Sequence, residues 1–219
     1  MNTLLIQIVA PMQSWGVQSL HDQRDSGLEP TKSGMIGLIA SAMGLDRTDD
    51  VAELAVLKMG VRVDREGRLD YDFQKAEPLD RFGEKSSGSK VTIGQRAYLA
   101  DAAFLVGLEG NLIVLQCIEA ALHRPKRSLY FGRKAFPPSA PLWVQDGLQI
   151  GENLLDALRK FPPITAHPPS RRRFILEDPR GEIILNDQPL SFAARRFAPR
   201  CVHIDYLTVI EEAPCISPN

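Results

Sequence analysis

The apolar patterning predicts an α+β chain: a ferredoxin-like body carrying one insertion, followed by a smaller β-rich C-terminal part. Three observations carry that expectation. An alternating apolar strand over 4–9 precedes an apolar helix over 33–44. Strand and helix patterns then follow in the order β-α-β-(insert)-β-α, which matches the β-α-β-β-α-β unit. The last third is rich in proline (Pro137, Pro138, Pro141, Pro162, Pro163, Pro168, Pro169) and holds mostly strand patterns. The expected boundaries are 1–145 for the body, with the insertion at about 78–99, and 146–219 for the second part.

Each element has its own reason. In 33–44, Met35, Ile36, Leu38, Ile39, Ala42 and Met43 supply a broad apolar face, and Gly44 marks the stop. Gly34 and Gly37 cost helix propensity, so something approaches this helix closely, a backbone or a ligand. Asp50-x-x-Glu53 resembles a capping box for a short helix over 51–58. Residues 61–64 and 69–73 alternate as strands. From 78 to 95 glycine and serine dominate with several cations, which fits an inserted hairpin or loop. Strand character returns over 97–109. Asn111 can cap a helix over 112–122, which Pro125 ends. Short strands are expected near 128–131 and 141–145, a helix over Asn153–Lys160, and strands at 173–177, 181–185 and 202–210.

Composition narrows the class. The chain has 219 residues, 44% hydrophobic and 24% charged, as in ordinary globular proteins. No apolar run reaches the ~20 residues that span a bilayer. Met1-Asn2-Thr3-Leu4 has no basic region, so no signal peptide is expected. Cys117, Cys201 and Cys215 form no Cys-x-x-Cys pair, which argues against zinc and fits a reducing cytoplasm. Neither a P-loop nor a Gly-x-Ser-x-Gly elbow occurs. None of His21, His123, His167 and His203 has metal-ligand spacing to another, so neither a metal site nor a cofactor is expected.

Net charge is −1, yet it is unevenly distributed. Between Ala120 and Gln145 there is no Asp or Glu, while Arg124, Lys126, Arg127, Arg133 and Lys134 all fall there. Arg171-Arg172-Arg173 and the group Arg195, Arg196 and Arg200 add two further clusters. A nearly neutral chain can still present one basic face to a polyanion. Tyr130-Phe131-Gly132-Arg133-Lys134 interleaves aromatics with cations, the combination that binds single-stranded RNA. Trp15 reads as a base platform or a core anchor; its small or polar neighbours Gln13, Ser14 and Gly16 favour a loop position, so Gln13 and Trp15 are expected among the RNA contacts. The helix start at Thr31-Lys32-Ser33-Gly34 offers amide N–H groups and a positive dipole end to a phosphate. RNA-recognition modules use this β-α-β-β-α-β order, although their signature aromatic motif is not present here.

Four segments in order carry a resemblance. They are Pro11-Met12-Gln13-Ser14-Trp15-Gly16, Pro30-Thr31-Lys32-Ser33-Gly34-Met35-Ile36-Gly37-Leu38, Arg96-x-Tyr98-Leu99-x-Asp101-Ala102-x-Phe104 and Tyr130-Phe131-Gly132-Arg133-Lys134. Together with Arg196-Phe197-Ala198-Pro199-Arg200, the set resembles the CasD family of type I-E CRISPR Cascade subunits, the fifth CRISPR-associated family, subtype E. The resemblance implies an RNA-recognition-type body with a β-hairpin thumb at 78–99. It implies a non-catalytic subunit that binds the 5′ handle of the CRISPR RNA and caps the filament of CasC backbone subunits. Such a subunit also helps dock the large CasA subunit and meets target DNA only indirectly, with no membrane contact. On that basis Thr31–Gly34 would meet the handle, the run 124–134 would hold it, and Arg96 would lie at the thumb base. Arg195, Arg196 and Arg200 would meet RNA or a neighbouring subunit. In a related subtype the homologue cuts the repeat itself. The alternative is therefore a metal-independent repeat endoribonuclease, with His123 beside Lys126 and Tyr130, or His21 with Lys32, as acid and base.

Overall fold

The computed structural model describes residues 1–17, 23–76 and 92–208. His21 and Cys215 therefore lie outside the described residues, as do residues 78–91 of the expected insertion. The elements in chain order are β1 (Asn2–Val9), β2 (Met12–Gln13), β3 (Gln23–Arg24), α1 (Lys32–Met43), α2 (Ala52–Ala55), β4 (Lys58–Arg65), β5 (Arg68–Ala76), β6 (Thr92–Ala100) and β7 (Ala103–Glu109). They continue with α3 (Leu112–His123), β8 (Trp143–Ile150), α4 (Leu154–Lys160), β9 (Arg171–Glu177), β10 (Ile183–Ser191) and β11 (Arg196–Thr208). The result is a mixed α/β protein built mostly on antiparallel sheets.

A seven-stranded sheet runs β10-β11-β9-β4-β7-β1-β8, and every neighbouring pair in it is antiparallel. Strands β8, β1, β7 and β4 are neighbours in that order at one end of it. The C-terminal strands extend the same sheet from the other side of β4. Alternation sorts the side chains between two faces. Leu4, Ile6 and Ile8 of β1 and Phe104, Val106 and Leu108 of β7 join the main core with Met35, Ile36 and Ile39 of α1 and Leu115 and Ile118 of α3. Leu5 and Leu105 point the other way, to Leu154, Ala157 and Leu158 of α4 and Phe174 of β9. On that second face buried Arg62 pairs with Asp64 and donates to the carbonyls of Leu158, Phe161 and Pro162, so it closes the C-terminal end of α4.

The caps read from sequence form as expected. Asn111 accepts from Ile113 N, and Gly44 ends α1 in the left-handed region. Asn153, expected as the first residue of its helix, is the N-cap of α4 and accepts from Asp156 N. Other expectations need correction. The helix expected over 51–58 lasts only from Ala52 to Ala55, because β4 begins at Lys58; Asp50 accepts from Ala52 N, and no capping box forms. The strand expected over 97–109 divides at Asp101, whose φ of 59° turns the chain between β6 and β7. Residues 128–131 form no strand; the strands expected at 181–185 and 202–210 are Ile183–Ser191 and Arg196–Thr208, and 209–210 lie outside the described residues.

A second, four-stranded sheet surrounds β6. On one side lies β5, antiparallel from Arg68↔Ala100 to Ala76↔Thr92; on the other lie β2, antiparallel, and β3, parallel. Thus the described flanks of the expected insertion are two long paired strands. Among the described residues no helix is long and apolar enough to cross a membrane.

Candidate nucleic-acid interface

The four sequence segments, scattered over more than half the chain, meet around one indole. Trp15 is 2% exposed. Its backbone N–H donates to Ser26 Oγ at 2.9 Å, and its Nε1 donates to Gln13 Oε1 at 3.1 Å. Gln13 in turn donates to the Ala102 carbonyl at 2.8 Å. The ring lies 5.7 Å from buried Phe131, and it packs over the first turn of α1, where a Cβ at Gly34 would sit 3.0 Å from the indole. The close approach expected at Gly34 is therefore made by the chain's own tryptophan. Ser14 N donates to the Phe131 carbonyl, and Gly132, with φ of 82°, passes so close to Ser14 that a Cβ there would lie 1.9 Å from its carbonyl oxygen. Trp15 and Gln13 are core anchors, and their burial corrects the reading of both as RNA contacts.

The helix start at Thr31–Gly34 is also used internally. Thr31 Oγ1 accepts from Gly34 N, and Lys32 N donates to Asp187 Oδ2 at 2.7 Å. Asp187 thus sits where an anion was expected, and Arg200 holds it with two bonds of 2.6 and 2.9 Å. The Lys32 ammonium is buried against Glu177 at 2.9 and 3.0 Å. Burial pushes its pKa below the usual lysine value, partly opposed by the Glu177 carboxylate. Lys32 and Arg200 are therefore positioned as internal ion-pair partners, which corrects their assignment to RNA. Thr31, Ser33 and Gly34 are half-buried beside them. Replacing Lys32 by Met leaves Glu177 and Asp187 with one cation fewer. Lys32→Met is expected to cost about 3 kcal/mol in urea unfolding; an unchanged midpoint would show the network is dispensable.

The exposed cations lie on a different surface. Arg133 donates to the Ala97 carbonyl at 2.7 Å, and its guanidinium sits 5.1 Å from the Phe136 ring. Its Nη1 is buried and has no hydrogen-bond partner among the described residues. Burial lowers its pKa, and nearby Arg96 and Arg24 lower it further, while Asp72 opposes them. The strand register explains the grouping, since Arg96 lies between Arg24 of β3 and Asp72 of β5. Sequence reading missed Arg24. No local pattern marks it, because a two-residue parallel pairing across 72 positions brings it there.

The run 124–134 wraps the end of α1. Arg127 donates to the carbonyls of Gly44 and Leu45 and to Asp46, so it closes the C-terminal end of that helix. Lys126 N donates to Ala42 O, and its aliphatic stem covers Gly44. Arg124, Lys134 and Arg196 are exposed, and Tyr130 is 37% exposed. His123 stacks on Trp143 with ring centroids 4.4 Å apart. The geometry brings Arg24, Arg96 and Arg133 together, and exposed Tyr130 and Lys134 flank Arg133 in the same loop.

Comparison with known proteins follows the same lines. Residues 3–203 match the family described as CRISPR-associated protein (Cas_Cas5). A curated relative, the CRISPR system Cascade subunit CasD of Escherichia coli (strain K12), is 28% identical over 214 residues, 90% of this chain and 92% of its own length. A solved structure described as a Cas protein is similar with a TM-score of 0.80 and 41% identity, covering 97% of this chain and 99% of that one. A chain of a CRISPR RNA-guided surveillance complex has a TM-score of 0.76 and 32% identity, covering 94% of this chain and 90% of its own.

Proposed function

Because the chain belongs to the Cas5 family of CRISPR-associated proteins, we propose that it is a non-catalytic subunit of a type I-E Cascade surveillance complex. In this role it holds the 5′ handle of the CRISPR RNA and caps the CasC filament. The β8-β1-β7-β4 order supports a ferredoxin-like body, and the β5–β6 pair supplies the sides of a thumb. Strands β9, β10 and β11 extend that body beyond β4 and, with exposed Arg196, offer a surface to CasC or CasA. Target DNA is met through the assembled complex. The observation that carries the RNA reading is the convergence of Arg24, Arg96 and Arg133 beside exposed Tyr130 and Lys134.

Handle capture then has three physical parts. Guanidinium groups take phosphate oxygens by charge-assisted hydrogen bonds. Tyr130 offers a ring on which an unpaired base stacks. Trp15 and Phe131 fix the loop that presents both.

The test uses end-labelled repeat RNA and the whole chain in EDTA, with filter retention and a denaturing gel read together. Intact RNA retained through its 5′ handle, in preference to a scrambled sequence, is the expected result. Site-specific cleavage lost in His123→Ala would make the chain a processing nuclease instead. Replacing Arg133 and Lys134 together by Ala is expected to weaken handle binding and flatten its salt dependence by about two in slope. Unchanged affinity and slope would remove that run from the interface.

A further inference from the structure

Among the described residues Arg24 and Arg96 make no side-chain hydrogen bond or ion pair, although they stand side by side in register. Two guanidinium groups at neighbouring strand positions repel each other, and such pairs are destabilising. Arg133 reaches the same place from the loop after Phe131, anchored through Nη2 on the Ala97 carbonyl, with Nη1 buried and, among the described residues, unpartnered. Aromatic packing holds its guanidinium plane, since Phe136 lies under it and Tyr98 lies 5.9 Å from Phe136. Among the described residues one carboxylate is placed against this group. Asp72 lies opposite Arg96 and also accepts from Gln74 Nε2 at 2.6 Å. Among the described residues the cluster thus keeps an excess of positive charge and a single internal counter-ion.

We propose that Arg24, Arg96 and Arg133 form one site for a single phosphodiester group of the bound RNA, and that Asp72 sets its affinity by competing for the same guanidinium groups. This rests on the RNA-binding reading given above and adds to it a residue, Arg24, that no sequence segment points to. A phosphate group supplies the negative charge that this group of guanidinium side chains lacks. It also relieves the repulsion between Arg24 and Arg96. Asp72 lowers the cost of holding three cations together in the unbound chain, and in the same way opposes the incoming phosphate.

Two substitutions with opposite signs test it, in fluorescence anisotropy with the whole chain and repeat-derived handle RNA at several salt concentrations. Arg24→Ala is expected to weaken binding about tenfold and to lower the salt slope by about one. Asp72→Asn is expected to tighten binding, a gain that a misfolded variant does not imitate. A series of RNAs, each with one neutral methylphosphonate linkage, locates the phosphate. One linkage should reproduce the loss in the parent chain and add nothing further in Arg24→Ala. If Arg24→Ala binds as the parent does, or Asp72→Asn fails to tighten, the site is overturned while handle binding stands. If the parent chain retains no handle RNA, the functional reading itself fails. If inorganic phosphate raises the unfolding temperature of the parent but not of Arg24→Ala while RNA affinity is equal in both, the cluster binds a small anion and the RNA assignment is wrong.

Discussion

Trp15→Ala is expected to destabilise the chain by about 3–5 kcal/mol, the cost of truncating a fully buried aromatic. The loss has three sources in this structure. The indole fills the space between Phe131 and the first turn of α1. Its Nε1 satisfies Gln13, which otherwise keeps only its bond to Ala102. Its removal also leaves Gly34 facing a void, so the helix start loses its lateral support. Urea unfolding followed by circular dichroism gives the number. Trp15→Phe should keep most of the packing and lose mainly the hydrogen bond, so it should fall well below the alanine variant. A loss under about 1 kcal/mol for Trp15→Ala would show that the segments meet without the indole between them.

Gly132→Ala is the second large effect, and its origin is backbone rather than burial. At φ of 82° an L residue is strained, and the added Cβ would lie 1.9 Å from the Ser14 carbonyl oxygen. Backbone atoms cannot yield as a side-chain tip does, so the loop 130–136 or the segment after β2 must move. The expected cost is about 3 kcal/mol. Because Arg133 follows directly, handle affinity should fall further than stability alone explains. Thermal unfolding and RNA titration of the same preparation separate the two effects. Normal affinity in a destabilised variant would show that Arg133 finds its position independently of Gly132.

These two residues also show how far sequence reading reaches. Pro11–Gly16 and Tyr130–Lys134 stood out as segments, and their order carried the family resemblance. What local pattern could not settle was direction. A tryptophan beside Gln13 and Ser14 suits a loop, and only the tertiary contact with Phe131 turns it inward. Helix caps were legible at Asn111 and Gly44, because capping chemistry acts over three or four residues. The partner at the start of α1 was not, since Asp187 lies 155 positions away. For the same reason an apparent anion site was already filled by a carboxylate of the chain itself. Strand identity was largely visible from alternation, but strand neighbours were not, as the placing of β9 beside β4 shows.

That last placement has a consequence for the order of assembly during synthesis. β4 lies between β7 and β9, and its second partner is encoded more than a hundred residues after it. While the nascent chain ends before residue 171, the backbone of Gly60, Val61 and Arg62 presents an unpaired edge beside an apolar face. Lys32 is already made but has no Glu177 to neutralise. The early-made half is therefore sticky, with an additional open edge at β4, and remains prone to pairing with another chain until its last strands leave the ribosome.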